Sequence, residues 1–445
     1  MKRGWVIAAF LAAGVLAGDR ASAQQSQAWT RCVNKERAAP DLQISGCTTV
    51  IQSGKETDKN LSIAFNNRGN GYRNKGDDDR AIADYDQAIK LDPKYAAPYN
   101  GRGNAWRDKH DNDRAIPNYD QAIKLDPRDA LPYNGRGNAY FDKREYDRAI
   151  ADYSDSIRID PKYASPHNGR GNAYRAKGDI DTALSDYNEA IRLDAREALP
   201  YNGRANVYYD KKDYDRAIAD YSEAIRLNPK YATAYNNRGL GYKQKGDYDR
   251  AIADFNDAIR LDPKYAIAYD NRGDVYAAKR DHDHAIADYS DAIRLDPKNA
   301  IYYNDRGEIY RTKGDNDRAI EGYDLLIGLQ PSSANWWNYR CWDRAILDRL
   351  EPAMADCNEA VKLKPDDANI LDSRAFVYLK LGQLDKSIAD YDAALKINPK
   401  LAGSLYGRGV AKKRKGDNAG GDADIAAAKA LRANVVEDFK KYGIN

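Results

Sequence analysis

The stretch from Asp79 to Pro93, DRAIADYDQAIKLDP, returns lightly edited every 34 residues. Its closing proline recurs at Pro93, Pro127, Pro161, Pro229, Pro263, Pro297, Pro331, Pro365 and Pro399, and only Ala195 breaks the column. A glycine column runs ahead of each copy, from Gly69 and Gly103 through Gly307 to Gly409. A fixed period of this length builds stacked supersecondary units, each contacting its neighbours, rather than one globular core.

Each unit reads as two helices. Phe65, Gly69 and Tyr72 fall at i, i+4 and i+7 on one face, and Ala81, Ile82, Tyr85, Ala88 and Ile89 form a matching stripe. Lys75-Gly-Asp-Asp breaks the pattern between them, and Asp79 is placed to accept orphan N–H bonds at the second helix start. Small residues in the Gly69 and Ala81 columns let the two helices approach closely.

Aromatic–x3–Gly–x2–Tyr, then Gly-Asp, Ala-Ile, Tyr–x2–Ala and Asp-Pro, all in register, resembles the tetratricopeptide repeat. The resemblance implies an all-α fold, a right-handed superhelical solenoid of helix–turn–helix units. It also implies a scaffold that binds a protein or extended peptide in a concave groove lined by the first helices. The expected organisation is a signal peptide over 1–23 and a degenerate capping repeat over 24–61. Eleven repeat units over 62–433, the last atypical, and a capping helix over 434–445 complete it.

One column departs from the commonest family pattern. All eleven units carry Arg, from Arg68 to Arg408, where that pattern has Leu. Nine carry Asp beside the second-helix aromatic, with Asn118 and Gly322 as exceptions. Opposite charges that recur together predict an inter-helix ion-pair ladder, the alternative being an Arg row that reads acidic ligands.

Met1-Lys-Arg3, the apolar run from Trp5 to Leu16 and Ala21-Ser-Ala23 together read as a signal peptide cut after Ala23. The expected location is therefore periplasmic or secreted, with peripheral envelope association open. Charged residues make up 31% of the chain, but 71 Lys+Arg nearly balance 68 Asp+Glu. A chain so balanced gives little electrostatic basis for nucleic-acid binding. No apolar run beyond the leader is long enough to span a membrane.

Four cysteines in an exported chain imply pairing. Separations of 15 and 16 residues, each joining the two helices of one pair, select Cys32–Cys47 and Cys341–Cys357, with buried free thiols as the alternative. No catalytic constellation, cofactor motif or metal site emerges. His282 and His284 lack further ligands, G-x-G pairs such as Gly101 and Gly103 sit inside helices, and the carboxylates belong to the repeat. The chain is read as a non-enzymatic scaffold, the alternative being a binder of glycan or envelope polymer.

Two sets of partner-binding residues are expected. The first is an asparagine ladder on the first helices: Asn66/Asn70, Asn100/Asn104, Asn134/Asn138, Asn168/Asn172 and Asn202/Asn206. Amides both donate to and accept from a peptide backbone; solvated polar residues on an open surface are the plainer reading. The ladder lacks the Lys of carboxylate-clamp repeats at Asn66 and Asn100, so no preference for a free C-terminus is expected. The second set is an apolar stripe of Trp342, Phe376, Leu379, Tyr406 and Val410, bordered by Arg344 and Lys413. Here the alternative is a Trp342 turned inward in the irregular ninth unit.

Overall fold

The computed structural model describes residues 26–33 and 39–444. The expected signal peptide lies outside the described residues. The described chain is helical throughout, an all-α helical-repeat solenoid in which each first helix pairs with the second helix that follows it. It divides into two compact units, residues 1–229 and 230–445.

In the first unit the pairs run from Asp58–Asn74 with Asp78–Leu91 to Ala198–Asp210 with Tyr214–Leu227, preceded by a helix over 26–32 and Pro40–Gln52. In the second they run from Ala232–Gln244 with Tyr248–Leu261 to Ala402–Arg414 with Asn418–Leu431, followed by the short helix Val435–Lys441.

The turn inside each pair needs one left-handed residue. Gly76 supplies it at φ 76°, and Gly178, Gly246, Gly314, Gly382 and Gly416 repeat it. His110, Arg144, Lys212, Arg280 and Asp348 adopt the same conformation without glycine. The ninth unit, whose sequence has lost the Gly-Asp break, therefore keeps the turn geometry at Asp348. The capping carboxylate is Asp77 rather than Asp79: its side chain accepts the Arg80 N–H at 3.2 Å. Asp79 points away and pairs with Lys109 of the next repeat at 2.6 Å.

The core is a column of second-helix aromatics. Tyr85, Tyr119, Tyr187 and Phe255 are fully buried. Each ring sits in a slot between two first helices. A Cβ on Gly69 would lie 2.8 Å from Tyr85 Cε1, and one on Gly101 of the following repeat 2.6 Å from the same atom. The recurrent Gly-Arg-Gly is thus two halves of two slots, Gly101 closing on Tyr85 and Gly103 on Tyr119.

The arginine column is structural. Arg68 clamps Asp84 through Nε and Nη2, both at 2.7 Å, and Arg136 and Arg374 hold Asp152 and Asp390 in the same two-pronged way. Arg136 Nη1 also reaches back to Asp120 of the preceding repeat at 2.5 Å. One guanidinium so ties three helices.

Candidate binding channel

The same tyrosines organise the asparagines. Tyr85 Oη donates to Asn70 Oδ1 at 2.7 Å, Tyr119 to Asn104 at 2.8 Å and Tyr153 to Asn138 at 2.8 Å. Tyr187 and Tyr221 bond Asn172 and Asn206 in the same way, each at 2.7 Å. Burial lifts the tyrosine hydroxyls above their ordinary range, so they stay protonated and donate. These five amides are therefore half committed to the core. With the oxygen taken, the NH2 is what Asn70, Asn104 and Asn138 offer outward.

The other member of each pair behaves differently. Asn66 and Asn202 are buried, and Asn66 Nδ2 donates to Asn67 Oδ1 at 3.2 Å. In Asn100, Asn134 and Asn168 the side-chain oxygen is buried without a hydrogen-bond partner. Asn134 Nδ2 donates to Tyr163 Oη at 3.2 Å. Asn66, Asn70, Asn100, Asn104, Asn134 and Asn138 come together on a channel of about 620 Å³ in the first unit. Asn168, Asn172, Asn202 and Asn206 continue both columns outside its lining. Arg73 and Arg107 also line the channel; each is engaged with the next repeat, Arg73 with Asp108 at 2.8 Å and Arg107 with Asp142 at 3.6 Å.

The apolar stripe requires a correction. Phe376 and Leu379 are fully buried, Tyr406 and Val410 nearly so, and half-buried Trp342 packs against them. They form no open face, because the helix Val435–Lys441 lies over them. Phe439 lies tilted against Tyr406 with ring centroids 4.7 Å apart, and Tyr442 meets Trp342 edge-on at 5.5 Å. The bordering cations are already paired: Arg344 bonds Asp356 and the exposed Lys413 bonds Asp422, both at 2.7 Å.

Trp336 packs on Tyr339, and Trp337 donates to the Pro331 carbonyl at 2.9 Å beneath Arg340. The tryptophans of the ninth unit thus have separate packing partners. His284 bonds Asp281 at 2.8 Å and stacks on Tyr276, which accounts for it without a metal. The group with metal-ligand spacing among the described residues is Asp270, Asp274 and Asp305, three carboxylates within 4.8 Å of one another. Burial and the neighbouring carboxylates raise Asp270 to about 7, and Asp274 is held by Lys243 at 2.6 Å and by Tyr289 at 2.9 Å.

Sequence reasoning missed the tyrosine–asparagine bond, although the signal was present. Where the second-helix aromatic is Phe255 and has no hydroxyl, the asparagine position holds Leu240. The two cysteine pairs lie at disulfide distance, Cys32–Cys47 with Cα atoms 4.4 Å apart and Cys341–Cys357 with Cα atoms 5.4 Å apart. Cys341 stands in the Gly69 column and Cys357 in the Tyr85 column, so this pair occupies a slot that elsewhere holds a ring against a glycine.

Family models described as TPR repeat and tetratricopeptide repeat match residues 69–246 and 377–416, and 236–334, respectively. No curated protein sequence matches significantly. Among solved structures, YrrB, a TPR protein with an unusual peptide-binding site, is 25% identical over 42% of this chain and 96% of its own, with a TM-score of 0.34. A tetratricopeptide repeat protein from Parabacteroides merdae is 20% identical over 56% and 98%, with a TM-score of 0.40. The APC/C hetero-tetramer Cut9–Hcn1 is 14% identical over 93% and 95%, with a TM-score of 0.44. With matches tiling well over half its length, the chain belongs to the tetratricopeptide-repeat family.

Proposed function

We propose that this protein is an exported scaffold that holds an extended segment of another protein in the asparagine channel of its first unit, within cell-envelope assembly or the organisation of a protein complex. Tetratricopeptide-repeat proteins are in general non-enzymatic scaffolds for protein–protein interaction. The observation that carries the finer reading is the pairing of two amide rows. Asn70, Asn104 and Asn138 turn NH2 groups outward, because tyrosines hold their oxygens, while Asn100 and Asn134 keep buried oxygens without partners. An extended backbone supplies carbonyls for the NH2 row, to which an amide N–H donates. Such a wall binds main chain and is indifferent to most side chains. Export is supported by two cysteine pairs at bonding distance, which suit an oxidising compartment. No helix among the described residues is long and apolar enough to cross a membrane.

Site-specific photocrosslinking in the native compartment tests this reading. A photoreactive residue at Ala97, on the channel, should give discrete protein adducts, whereas one at exposed Gln87 on a second helix should not. Equal labelling from both positions would overturn the channel as the site. Adducts to polysaccharide alone would favour the polymer-binding reading.

A further inference from the structure

We propose that the trough of Trp342, Phe376, Tyr406 and Val410 is a second binding site, made for a short amphipathic helix of a partner protein with two aromatic residues three positions apart, and that residues 435–444 are its built-in, displaceable occupant.

The trough residues stand on the face that the first unit leaves as a channel. Trp342, Phe376 and Val410 hold the column of Asn70, and Leu379 that of Arg73. From the ninth repeat on, the row, polar up to that point except at Leu240, gives way to large apolar side chains. The same helices also change at Cys341 and Ala375 in the Gly69 column and at Leu379 in the Arg73 column, so this end of the stack is rebuilt around the apolar row. Tyr391 shows the consequence: with Phe376 where an asparagine would stand, its buried hydroxyl has no partner.

The covering segment extends further than a cap requires. Shielding the end of a stack takes contact with the last pair alone. Here Phe439 reaches Tyr406 and, at 5.8 Å, Phe376, while Tyr442 reaches Trp342, so the segment runs back across first helices of three successive repeats. This is helix-in-groove recognition with aromatic anchors, performed by the chain on itself.

The segment is also shorter than every repeat helix and lacks the arginine clamp that most second helices carry. Val435–Lys441 has seven residues and no side-chain cap at its N-terminus. Its ion pairs are Arg432–Asp438 at 3.6 Å and, within the helix, Lys440–Glu437 at 3.2 Å. No arginine clamps it as Arg374 clamps Asp390. A helix this short has little stability alone, so Val435, Phe439, Tyr442 and Ile444 are what keep it in place. The fit is incomplete as well. A cavity of about 470 Å³ remains beside the segment, with Asp372, Ser404 and Arg432 on its wall next to Trp342 and Tyr442. A longer helix with polar flanks has room and partners there. With the segment displaced, the trough becomes a contiguous apolar patch that water disfavours, so the opened state takes an occupant of the same chemistry.

This site lies in the second unit, and its test is independent of the channel in the first. The probe is a fluorescein-labelled peptide of residues 432–445, titrated into the full-length wild-type chain and into the full-length Phe439→Ala/Tyr442→Ala variant. The variant should bind the peptide at least tenfold more tightly than wild type, and Trp342→Ala added to it should abolish the gain. Hydrogen exchange on the wild-type chain supplies a measurement that needs no variant. Amides of 435–444 should exchange at least a hundredfold faster than those of Ala368–Lys380, and saturating peptide should accelerate them further. Equal binding by wild type and variant overturns the proposal. Exchange of 435–444 as slow as that of Ala368–Lys380 overturns it too, since the segment would then open only with the repeats. Concentration-dependent dimerisation of the wild-type chain would assign the trough to a second copy and overturn the partner reading.

Discussion

Tyr119 Oη donates to Asn104 Oδ1 at 2.8 Å while its ring fills the slot between Gly103 and Gly135. One side chain thereby sets both the spacing of adjacent repeats and the orientation of a channel amide. Removing the hydroxyl (Tyr119→Phe) leaves the ring in place and should cost about 1 kcal/mol. Asn104→Leu should cost a similar amount by orphaning the hydroxyl. The double substitution recreates the natural Leu240/Phe255 pairing, and its cost should fall below the sum of the two. Hydrogen exchange of Ala96–Asp108 and Asn112–Leu125 reads the three values. Strict additivity would show that hydroxyl and amide act independently.

The slot itself is tight. A Cβ at Gly135 would stand 2.5 Å from Tyr119 Cε1, so the ring or the helix must move. Gly135→Ala should destabilise the junction of these repeats by about 1–3 kcal/mol, despite the better helix propensity of alanine. At Gly328 nothing lies within reach of an added Cβ, so Gly328→Ala serves as the control and should be neutral or stabilising. Local unfolding followed by hydrogen exchange separates the two. Equal effects would show that the slot has slack.

The helix pairs were legible because apolar periodicity reports which face a helix buries, and a 34-residue period multiplies that signal. The arginine ladder was legible for the same reason, since Arg68 and Asp84 recur together. Asn70 was only half legible, because its own column does not show that its oxygen is claimed by Tyr85, fifteen positions on. Comparing those two columns at Leu240 and Phe255 exposes the link. The fate of Phe376 and Tyr406 lay beyond any such comparison. What buries them is a segment outside the repeat, and a period carries no information about where a non-periodic helix docks. Asp79 failed on a finer point: the left-handed residue at Gly76 starts the second helix early enough to make Asp77 the cap.

The Cys341–Cys357 pair replaces a packing contact by a covalent one. Closing a loop of this length should stabilise the ninth repeat by about 3 kcal/mol relative to the reduced chain. Because the cysteines occupy a glycine column and a tyrosine column, Cys341→Gly/Cys357→Tyr should restore part of the lost stability, and Cys341→Ser/Cys357→Ser should not. Comparing both variants with the reduced wild-type chain by local hydrogen exchange in Ala334–Ile346 and Leu350–Leu363 provides the check. Serine performing as well as the glycine–tyrosine pair would refute the equivalence of the two slots.

Asp343 is a fully buried carboxylate in a column that elsewhere holds glycine, alanine or an aliphatic residue such as Val207, Val275, Ile309 and Val377. Arg311 Nε lies 3.1 Å away, yet burial outweighs that attraction and raises the carboxyl to about 7. A folded-state value above the unfolded one means that the native state binds the proton more tightly. The penalty is therefore absent below about pH 4, grows as pH rises towards 7, and is constant above it. Asp343→Val should stabilise the junction of the eighth and ninth repeats at pH 8, by on the order of 3 kcal/mol from removing the buried charge. Arg311 keeps Glu308 at 2.8 Å, so it is not left without an anion. The gain over wild type should hold above about pH 7 and shrink as pH falls from there to 5, and taking the difference between the two chains cancels other titrating groups such as Asp270 and Asp372. A difference that stays level across that range would show that Asp343 does not titrate there.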